Sequence, residues 1–325
     1  MKLKFQPPKG GFLFFRKGKK MLYPYRKFEG NISEGILLRS IRHRVKLIRF
    51  PTQWETSDEN LRVVDVFYFE PIHSIKRTVI MLHGLGTRNV LYLTRFAQLM
   101  AFLGTAVFLP IIPYNFTRTP TGFESGMAFI EPDPKGLLER WQHAVLDIRN
   151  VLDVMEKKEL IDDVTLMGYS LGGMLATLVS AFDERVKKLI LIATGGNPHR
   201  IFWESPVGRY FRERVSKGGK ICFRDKDSCY RALENIPTFS SLEELLNSNT
   251  PPCVKFDPTR FAPFVKAEKI IFFQAAFDHV IPKESAESLW KALGKPRRKI
   301  LAGGHVTALA TRTLMVLRIL RFLKN

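Results

Sequence analysis

Short apolar strands alternate with helical segments through most of this 325-residue chain, and that alternation constrains the fold more than any other feature. Apolar runs of strand length separated by helices of ten or more residues are typical of βαβ units with parallel strands. Nearly continuous apolar composition in the strands indicates that helices cover both faces of the sheet. The sequence therefore predicts an α/β fold with a mostly parallel central sheet. The predicted strands are Thr78–Leu82, Ala106–Leu109, Val164–Met167, Lys188–Ile192, Lys269–Phe273 and Lys299–Leu301, and the predicted helices are Tyr92–Phe102, Leu137–Met155, Leu171–Phe182, Glu284–Leu293 and Val306–Leu323.

Two parts of the chain depart from this alternation. The β-rich runs Arg44–Phe50 and Arg62–Phe69 come before it and predict an antiparallel edge of the sheet. The long interval between Ile192 and Lys269 contains no clear βα unit, and an insertion of this length is typical of a lid over a functional site. The expected organisation is a basic, aromatic N-terminal extension with a first edge strand at 1–60, a core formed by 61–196 and 266–325, and a cap or lid at 197–265.

A serine lies at the junction between one predicted strand and the next helix. Residues 168–172 read Gly-Tyr-Ser-Leu-Gly, directly after an apolar strand. A strand-to-helix turn this tight accepts only glycine beside the serine, so Gly168 and Gly172 are expected to support it. The N-terminus of the following helix favours negative charge that develops at the Ser170 oxygen. Ser170 is therefore the predicted nucleophile.

A serine nucleophile needs a base and a group that orients the base. Asp278 follows the predicted strand Lys269–Phe273, and His305 follows the strand Lys299–Leu301 after a pair of glycines. Because parallel strands place their carboxyl ends at one edge of a sheet, both side chains are expected to meet Ser170 there. The sequence predicts a catalytic triad in which His305 is the base and Asp278 orients it.

Backbone amides are the expected donors to the negatively charged oxygen of the reaction intermediate. One is the amide of Leu171, which directly follows the nucleophile, and the other is that of Leu85. Leu85 lies in the segment His83-Gly84-Leu85-Gly86, where Gly84 and Gly86 allow the backbone to approach a bound carbonyl closely. His83 is expected to hold this loop rather than to take part in catalysis.

Two further side chains are candidates for contact with the substrate. Tyr169 directly precedes the nucleophile, and Arg118 is suited to pairing with an acidic substrate group. A solvated or capping role for Arg118 is an equally open alternative.

Together these segments resemble the α/β-hydrolase superfamily. The resemblance implies the α/β-hydrolase fold, with the insertion as its cap, and a serine hydrolase that passes through an acyl-enzyme intermediate. The segment 109–120 loosely resembles the esterase branch that contains the dienelactone hydrolases. The resemblance covers about residues 60–325 and rests on His83-Gly84-Leu85-Gly86, Gly168-Tyr169-Ser170-Leu171-Gly172-Gly173, Phe277-Asp278-His279-Val280-Ile281-Pro282 and Gly304-His305.

The formal net charge of +20 is concentrated at the two ends of the chain. Residues 1–50 contain 14 Lys and Arg against 2 acidic residues, and residues 288–325 contain 9 against none. Such termini suit peripheral contact with an anionic membrane. Nucleic acid is not the expected partner, because no stacking platform or recognition motif accompanies the basic residues. A basic surface that serves only solubility is a second interpretation.

The chain contains three cysteines, Cys222, Cys229 and Cys253, which are too few for a disulfide framework and lack the paired spacing of a zinc site. This cysteine content predicts a reducing, cytoplasmic location, and a peripheral position at the inner membrane surface is an alternative. No metal and no organic cofactor is expected, because triad chemistry needs only side chains, backbone amides and water.

The predicted function is that of a serine hydrolase cleaving a carboxylic ester of a small molecule or a lipid. One alternative is a lipid acylhydrolase, of the lipase or phospholipase kind, that works at a membrane surface. Another is a non-catalytic binding protein that retains the fold. The triad by itself does not distinguish ester, thioester and amide substrates.

Overall fold

The strands that alternate with helices in the sequence form one large sheet. A computed structural model describes residues 15–16, 19–20, 22–130, 133–215, 222–223, 225–307 and 312–324. The strands are β1 Phe15–Arg16, β2 Lys19–Lys20, β3 Ser33–Arg39, β4 His43–Pro51, β5 Val63–Pro71, β6 Arg77–Leu82, β7 Thr105–Pro110, β8 Val164–Tyr169, β9 Val186–Ile192, β10 Lys269–Ala275 and β11 Arg297–Leu301. The helices are α1 Leu91–Phe102, α2 Pro134–Lys157, α3 Leu171–Phe182, α4 Pro198–Glu204, α5 Pro206–Val215, α6 Lys226–Glu234, α7 Leu242–Asn247, α8 Pro258–Phe261, α9 Lys283–Ala292 and α10 Arg312–Lys324.

Within the described residues, nine strands form this sheet in the order β11-β10-β9-β8-β6-β7-β5-β4-β3. The strands from β11 to β7 pair in parallel, whereas β5 pairs antiparallel with both β7 and β4, and β3 pairs antiparallel with β4. The short strands β1 and β2 form a separate antiparallel pair. The predicted fold class, an α/β fold with a mostly parallel sheet, is confirmed.

Each predicted strand overlaps an observed one, but the sequence pattern does not predict β3. Every described side chain of this strand is exposed, so it lacks the alternation of apolar and polar residues that marks a half-buried strand. It forms through its antiparallel pairing with β4, and it is the outermost strand of the sheet. The predicted antiparallel edge is therefore one strand wider than the two β-rich runs.

Helices cover both faces of the sheet, and each face has its own apolar core. On one face, α2 and α3 pack against buried residues that include Ile80, Leu166 and Leu189. On the other face, α1 and α10 pack against residues that include Val79 and Met167. Successive residues of a strand point to opposite faces, so a strand that is buried on both sides needs an unbroken apolar run.

Residues 22–28 of the predicted N-terminal extension pack against the core. Tyr23 and Phe28 are buried, and the ring of Tyr23 lies 5.0 Å from that of Phe182 in α3. The hydroxyl of Tyr25 donates a 2.6 Å hydrogen bond to the carboxylate of Asp153 in α2. These three aromatic side chains therefore make their contacts within the protein and do not face a membrane. Residues 1–14 of the predicted extension lie outside the described residues.

The insertion between β9 and β10 contains helices α4 to α8, and part of it belongs to the core. Phe261 is buried, and the ring of Phe256 stacks on Trp141 of α2 at 5.2 Å between centroids. The hydroxyl of Tyr23 donates to the backbone carbonyl of Lys255 at 2.7 Å. The second half of the insertion therefore packs against α2 and the N-terminal segment. The role of residues 197–265 as a lid stays a prediction.

Candidate active site

Ser170 occupies a sharp turn between β8 and α3. Its backbone φ is 54°, a left-handed value that an L-residue adopts only under constraint. A Cβ atom placed on Gly168 would lie 2.2 Å from the carbonyl oxygen of Gly172, and one on Gly172 would lie 2.4 Å from that of Leu82. Both positions therefore require glycine, as the sequence predicts.

Neighbouring strands hold the backbone of Ser170 in place. Its N–H donates a 3.0 Å hydrogen bond to the carbonyl of Ile192 at the end of β9. The hydroxyl of Thr194 donates to the Ser170 carbonyl at 2.7 Å. These bonds stabilise a conformation that the tight turn alone would disfavour. Thr194 follows an apolar strand in the sequence, but no motif singles it out.

The structure brings the three predicted triad residues into one hydrogen-bonded chain. His305 Nε2 lies 2.9 Å from Ser170 Oγ, and His305 Nδ1 lies 2.8 Å from Asp278 Oδ2. With the Nδ1 proton donated to the carboxylate, the Nε2 lone pair faces the serine hydroxyl. The backbone amides of Val280 and Ile281 donate to Asp278 Oδ1, and these two hydrogen bonds hold the carboxylate in position. The side chains of Asp278 and His305 are both about nine-tenths buried.

The two amides predicted to bind an oxyanion flank the serine. Neither the Leu171 nor the Leu85 N–H donates to an acceptor within the described part of the chain. An unsatisfied backbone N–H is costly unless water or a ligand accepts its hydrogen bond. Both amides are thus available to an incoming oxygen atom.

The loop that carries Leu85 is fixed by buried polar contacts. His83 Nδ1 lies 2.7 Å from the carbonyl of Gly84, and the N–H of Ile112 donates to His83 Nε2 at 3.0 Å. Burial lowers the pKa of His83 to about 4, so the ring is neutral and acts as donor on one side and acceptor on the other. The side chain of Asn115 accepts a hydrogen bond from the N–H of Gly86 at 2.9 Å. Asn115 is a support residue that no sequence motif indicates.

Tyr169 is buried, and its contacts differ from the predicted contact with substrate. Its hydroxyl donates a 3.0 Å hydrogen bond to the backbone carbonyl of His305, and its ring lies 5.2 Å from the imidazole. A Cβ on Gly84 would lie 3.1 Å from the same ring. Tyr169 therefore contacts both the base and the Leu85 loop from within the protein.

Arg118 lies buried inside the fold, so it is not available for the predicted contact with an acidic substrate group. The side chain is fully buried, and its guanidinium lies 2.8 Å from the carboxylate of Asp147 in α2. It also donates to the backbone carbonyls of Ile111 and Leu61. Burial alone would raise the pKa of Asp147, but Arg118 and His143 lower it to about 2. The alternative of a solvated arginine is also wrong, because a buried ion pair with several hydrogen bonds holds Arg118 inside the fold.

Two apolar side chains beside the triad are exposed, which the sequence does not reveal. Phe277, next to Asp278, is 68% exposed, and Val306, next to His305, is 73% exposed. Large exposed apolar side chains at a functional site are typical of contact with an apolar group of a ligand. We call Phe277 and Val306 the apolar lip.

A cavity away from the triad lies in the insertion. Its volume is about 170 Å³, and it opens between α4, α6 and the start of α8. None of the predicted site residues lines it. Its polar lining includes Asn197, His199, Tyr230, Asp257 and Arg260.

The described residues contain no cluster of three or more His, Cys, Asp or Glu side chains arranged to hold a metal ion. The cysteines Cys222, Cys229 and Cys253 are free thiols. Among the helices that the structure describes, none combines the length and the apolar composition of a membrane span.

A family model described as the alpha/beta hydrolase fold matches residues 77–214. An uncharacterized protein of Mycobacterium tuberculosis is 23% identical over 205 residues, which cover 62% of this chain and 42% of that protein. The match therefore spans less than half the length of this curated relative.

Solved structures of several hydrolases superimpose on most of the chain. An acetyl xylan esterase from a Paenibacillus species has a TM-score of 0.63 at 15% identity and covers 90% of this chain and 88% of its own. A cold-adapted esterase from an Arctic intertidal metagenomic library has a TM-score of 0.55 at 18% identity, over 86% and 96% of the two chains. An acylaminoacyl peptidase from Pyrococcus horikoshii has a TM-score of 0.60 at 14% identity, over 87% and 41%.

The sheet order, the position of the serine turn and the family match over residues 77–214 show that this chain has the α/β-hydrolase fold. The predicted resemblance and fold are thereby confirmed. Because these three structures are less than 25% identical to the chain, they establish the fold and not the reaction.

Proposed function

We propose that this protein is a serine hydrolase that cleaves carboxylic esters through an acyl-enzyme intermediate. The observation that carries the proposal is the continuous chain of contacts from Ser170 Oγ through the imidazole of His305 to the carboxylate of Asp278. A side-chain hydroxyl, a neutral imidazole and a carboxylate in this order are what nucleophilic catalysis by serine requires. The two unpartnered amides beside the serine support the same chemistry.

The proposed reaction has two halves with matching proton transfers. Ser170 Oγ bonds to the acyl carbon while His305 Nε2 accepts the hydroxyl proton, and Asp278 stabilises the resulting imidazolium. The Leu85 and Leu171 amides bind the oxygen that becomes negatively charged. His305 then gives its proton to the leaving alcohol. In the second half His305 takes a proton from water while the water oxygen bonds to the acyl carbon. The bond between Ser170 Oγ and that carbon then breaks, His305 returns the proton to Ser170 Oγ, and the acid leaves.

The apolar lip favours esters with an apolar group near the scissile bond. Phe277 and Val306 adjoin the orienting acid and the base, so an apolar acyl or alcohol group of a bound ester would bury both. Two of the structurally similar proteins are named as esterases, which agrees with an ester substrate. The similar acylaminoacyl peptidase makes an amide substrate the competing reaction.

The test uses p-nitrophenyl esters of increasing acyl length and a fluorophosphonate probe. We expect ester turnover with a preference for longer acyl chains, and covalent labelling at Ser170. Ser170→Ala should lose at least about a thousandfold in kcat/KM and all labelling. The control Ser33→Ala changes an exposed serine of β3 and should leave both unchanged.

Three results would overturn parts of the proposal. Full ester turnover by Ser170→Ala would exclude Ser170 as the nucleophile. A folded protein that neither reacts with the probe nor cleaves any ester would favour a non-catalytic binding protein. Faster cleavage of an acylaminoacyl amide than of every ester would replace the esterase by a peptidase that uses the same three residues.

A further inference from the structure

Three exposed segments meet at the edge of the sheet where the parallel strands begin. The N–H of Ile72 donates a 3.0 Å hydrogen bond to the carbonyl of Arg42 in the β3–β4 turn. The guanidinium of Arg42 lies 4.9 Å from the ring centroid of Phe102 at the end of α1. The N–H of Lys76 donates to the carbonyl of Gly104 at 2.9 Å. We call this continuous region, formed by residues 38–42, 72–77 and 102–104, the basal surface.

The basal surface presents large apolar side chains to solvent. Ile41 is 89% exposed at the tip of the β3–β4 hairpin, where Ser40 and His43 close the turn with a backbone hydrogen bond. Phe102 is 47% exposed, and nearby Ile72, Ile75 and Leu103 are also exposed. A scattered exposed leucine needs no explanation, but a group of five joined by contacts between segments indicates a binding surface.

The same surface is strongly basic. Residues 38–42, 72–77 and 102–104 contain four Lys and Arg and no Asp or Glu. The carboxylate of Glu70, two residues before this surface in the sequence, pairs with Lys46 at 2.8 Å and lies 3.8 Å from Arg44. Within the described residues of the basal surface, the cations Arg39, Arg42, Lys76 and Arg77 have no ion-pair partner.

We propose that the basal surface docks on an anionic lipid bilayer, with Ile41 entering the headgroup region. Protruding aliphatic and aromatic side chains surrounded by cations match an interface that is apolar inside and negatively charged outside. A second copy of this chain would bring two groups of unpaired cations together and is disfavoured. A nucleic acid would leave the aliphatic side chains without a stacking partner.

The position of this surface has a consequence for catalysis that rests on the proposed function. Ser170 follows the carboxyl end of β8, whereas the basal surface adjoins the amino ends of β6 and β7, which run parallel to β8. A six-residue strand is about 20 Å long, so the triad lies at the far edge of the sheet from the membrane contact. A docked molecule therefore turns its triad toward water and takes its ester from solution, not from the bilayer it binds.

The test is sedimentation of the full chain with vesicles of phosphatidylcholine alone and of phosphatidylcholine mixed with phosphatidylglycerol. We expect binding only to the anionic vesicles, weakening as salt is raised. The double variant Arg39→Gln, Arg42→Gln should reduce binding about thirtyfold, since each basic residue near the surface contributes about 1 kcal/mol. Ile41→Asp should reduce binding about tenfold or more, because it removes an apolar contact and adds a negative charge. The control Leu91→Asp changes an apolar residue that is 67% exposed at the opposite end of α1, and it should bind like the wild type.

Several outcomes would overturn the proposal. Absence of wild-type binding to anionic vesicles at low salt would do so directly. Equal binding by Ile41→Asp and wild type would assign the contact to another basic region. A dimer that forms without lipid and dissociates in Ile41→Asp would replace the bilayer by a second copy. Because Ser170→Ala should sediment like the wild type, the result is independent of whether the protein is an esterase.

Discussion

The hydroxyl of Tyr169 donates a 3.0 Å hydrogen bond to the backbone carbonyl of His305. Tyr169 directly precedes Ser170, so this bond joins the turn that carries the serine to the loop that carries the histidine. Burial raises the pKa of Tyr169, which keeps the hydroxyl protonated as a donor. In the proposed mechanism, Tyr169 is a residue that positions the base relative to the nucleophile.

We expect Tyr169→Phe to lower kcat about fivefold with little change in KM, because it removes a hydrogen bond with a net value of about 1 kcal/mol and retains the ring. Both constants are measured with the preferred p-nitrophenyl ester. Tyr68→Phe, at a buried tyrosine of β5, is the control and should retain kcat. A higher KM at constant kcat would instead indicate the substrate contact first predicted for Tyr169.

Asp278→Asn should lower kcat about 10⁴-fold while the protein stays folded. The amide oxygen can still accept the hydrogen bonds of Val280 and Ile281, but the amide nitrogen would face His305 Nδ1 and favour the wrong imidazole tautomer. Single-turnover kinetics and thermal unfolding check the two statements. Asp257→Asn is a matched control, because Asp257 also accepts two backbone amides in a turn and has no contact with His305 in the proposed triad. Comparable losses of kcat in both variants would contradict the assigned role.

Gly172→Ala should destabilise the protein by roughly 3 kcal/mol or more, because the new methyl group would lie 2.4 Å from a backbone oxygen that cannot move aside. Urea unfolding followed by circular dichroism measures the free energy of unfolding. Gly35→Ala in β3 is the control, since a methyl group there meets no atom within 4 Å. If both substitutions changed the free energy of unfolding equally, the steric explanation of this glycine would be wrong.

The buried neutral imidazole of His83 should make the protein less stable in mild acid. Its pKa is about 4 in the folded protein and about 6.5 in the unfolded chain. Between these values the unfolded chain binds the proton first, so the free energy of unfolding decreases as pH falls from 6.5 to 4, by about 3 kcal/mol. Urea unfolding at a series of pH values measures this slope.

His83→Asn keeps a donor for the Gly84 carbonyl and removes the titrating group, so the slope between pH 6.5 and 4 should become shallower. His199, whose pKa burial also lowers to about 4, contributes to the same slope. His199→Asn is therefore the comparison variant and should also make the slope shallower. A slope for His83→Asn that equals the wild-type slope would contradict this explanation.

Local patterns predict the elements that carry the candidate site. The apolar run before Ser170 and the glycines around it indicate the strand, the turn and the helix, because these depend on residues a few positions apart. The order of Asp278 and His305 after two later strands predicts their meeting, because parallel strands end at one edge. The strand β3 is missed, since its exposed residues carry no periodic pattern and only pairing with β4 forms it.

Contacts between distant segments are the part that the sequence pattern does not contain. Arg118 has the chemistry to bind an acidic substrate, and only the fold shows that Asp147 of a distant helix pairs with it inside the core. In the same way, the sequence does not show that Ile41 belongs to a binding surface. That inference requires the fold, which brings Ile72 and Phe102 next to the turn that carries Ile41.

By itself, the sequence determined the α/β architecture and the identity of the residues at the serine turn, because apolar periodicity and the need for glycine act over short stretches of chain. Only the tertiary structure decided which polar groups are buried, which hydroxyl supports His305, and which apolar side chains share one exposed surface. These outcomes depend on distances between segments that are far apart in the chain, and such distances are set by packing of the whole sheet and its helices.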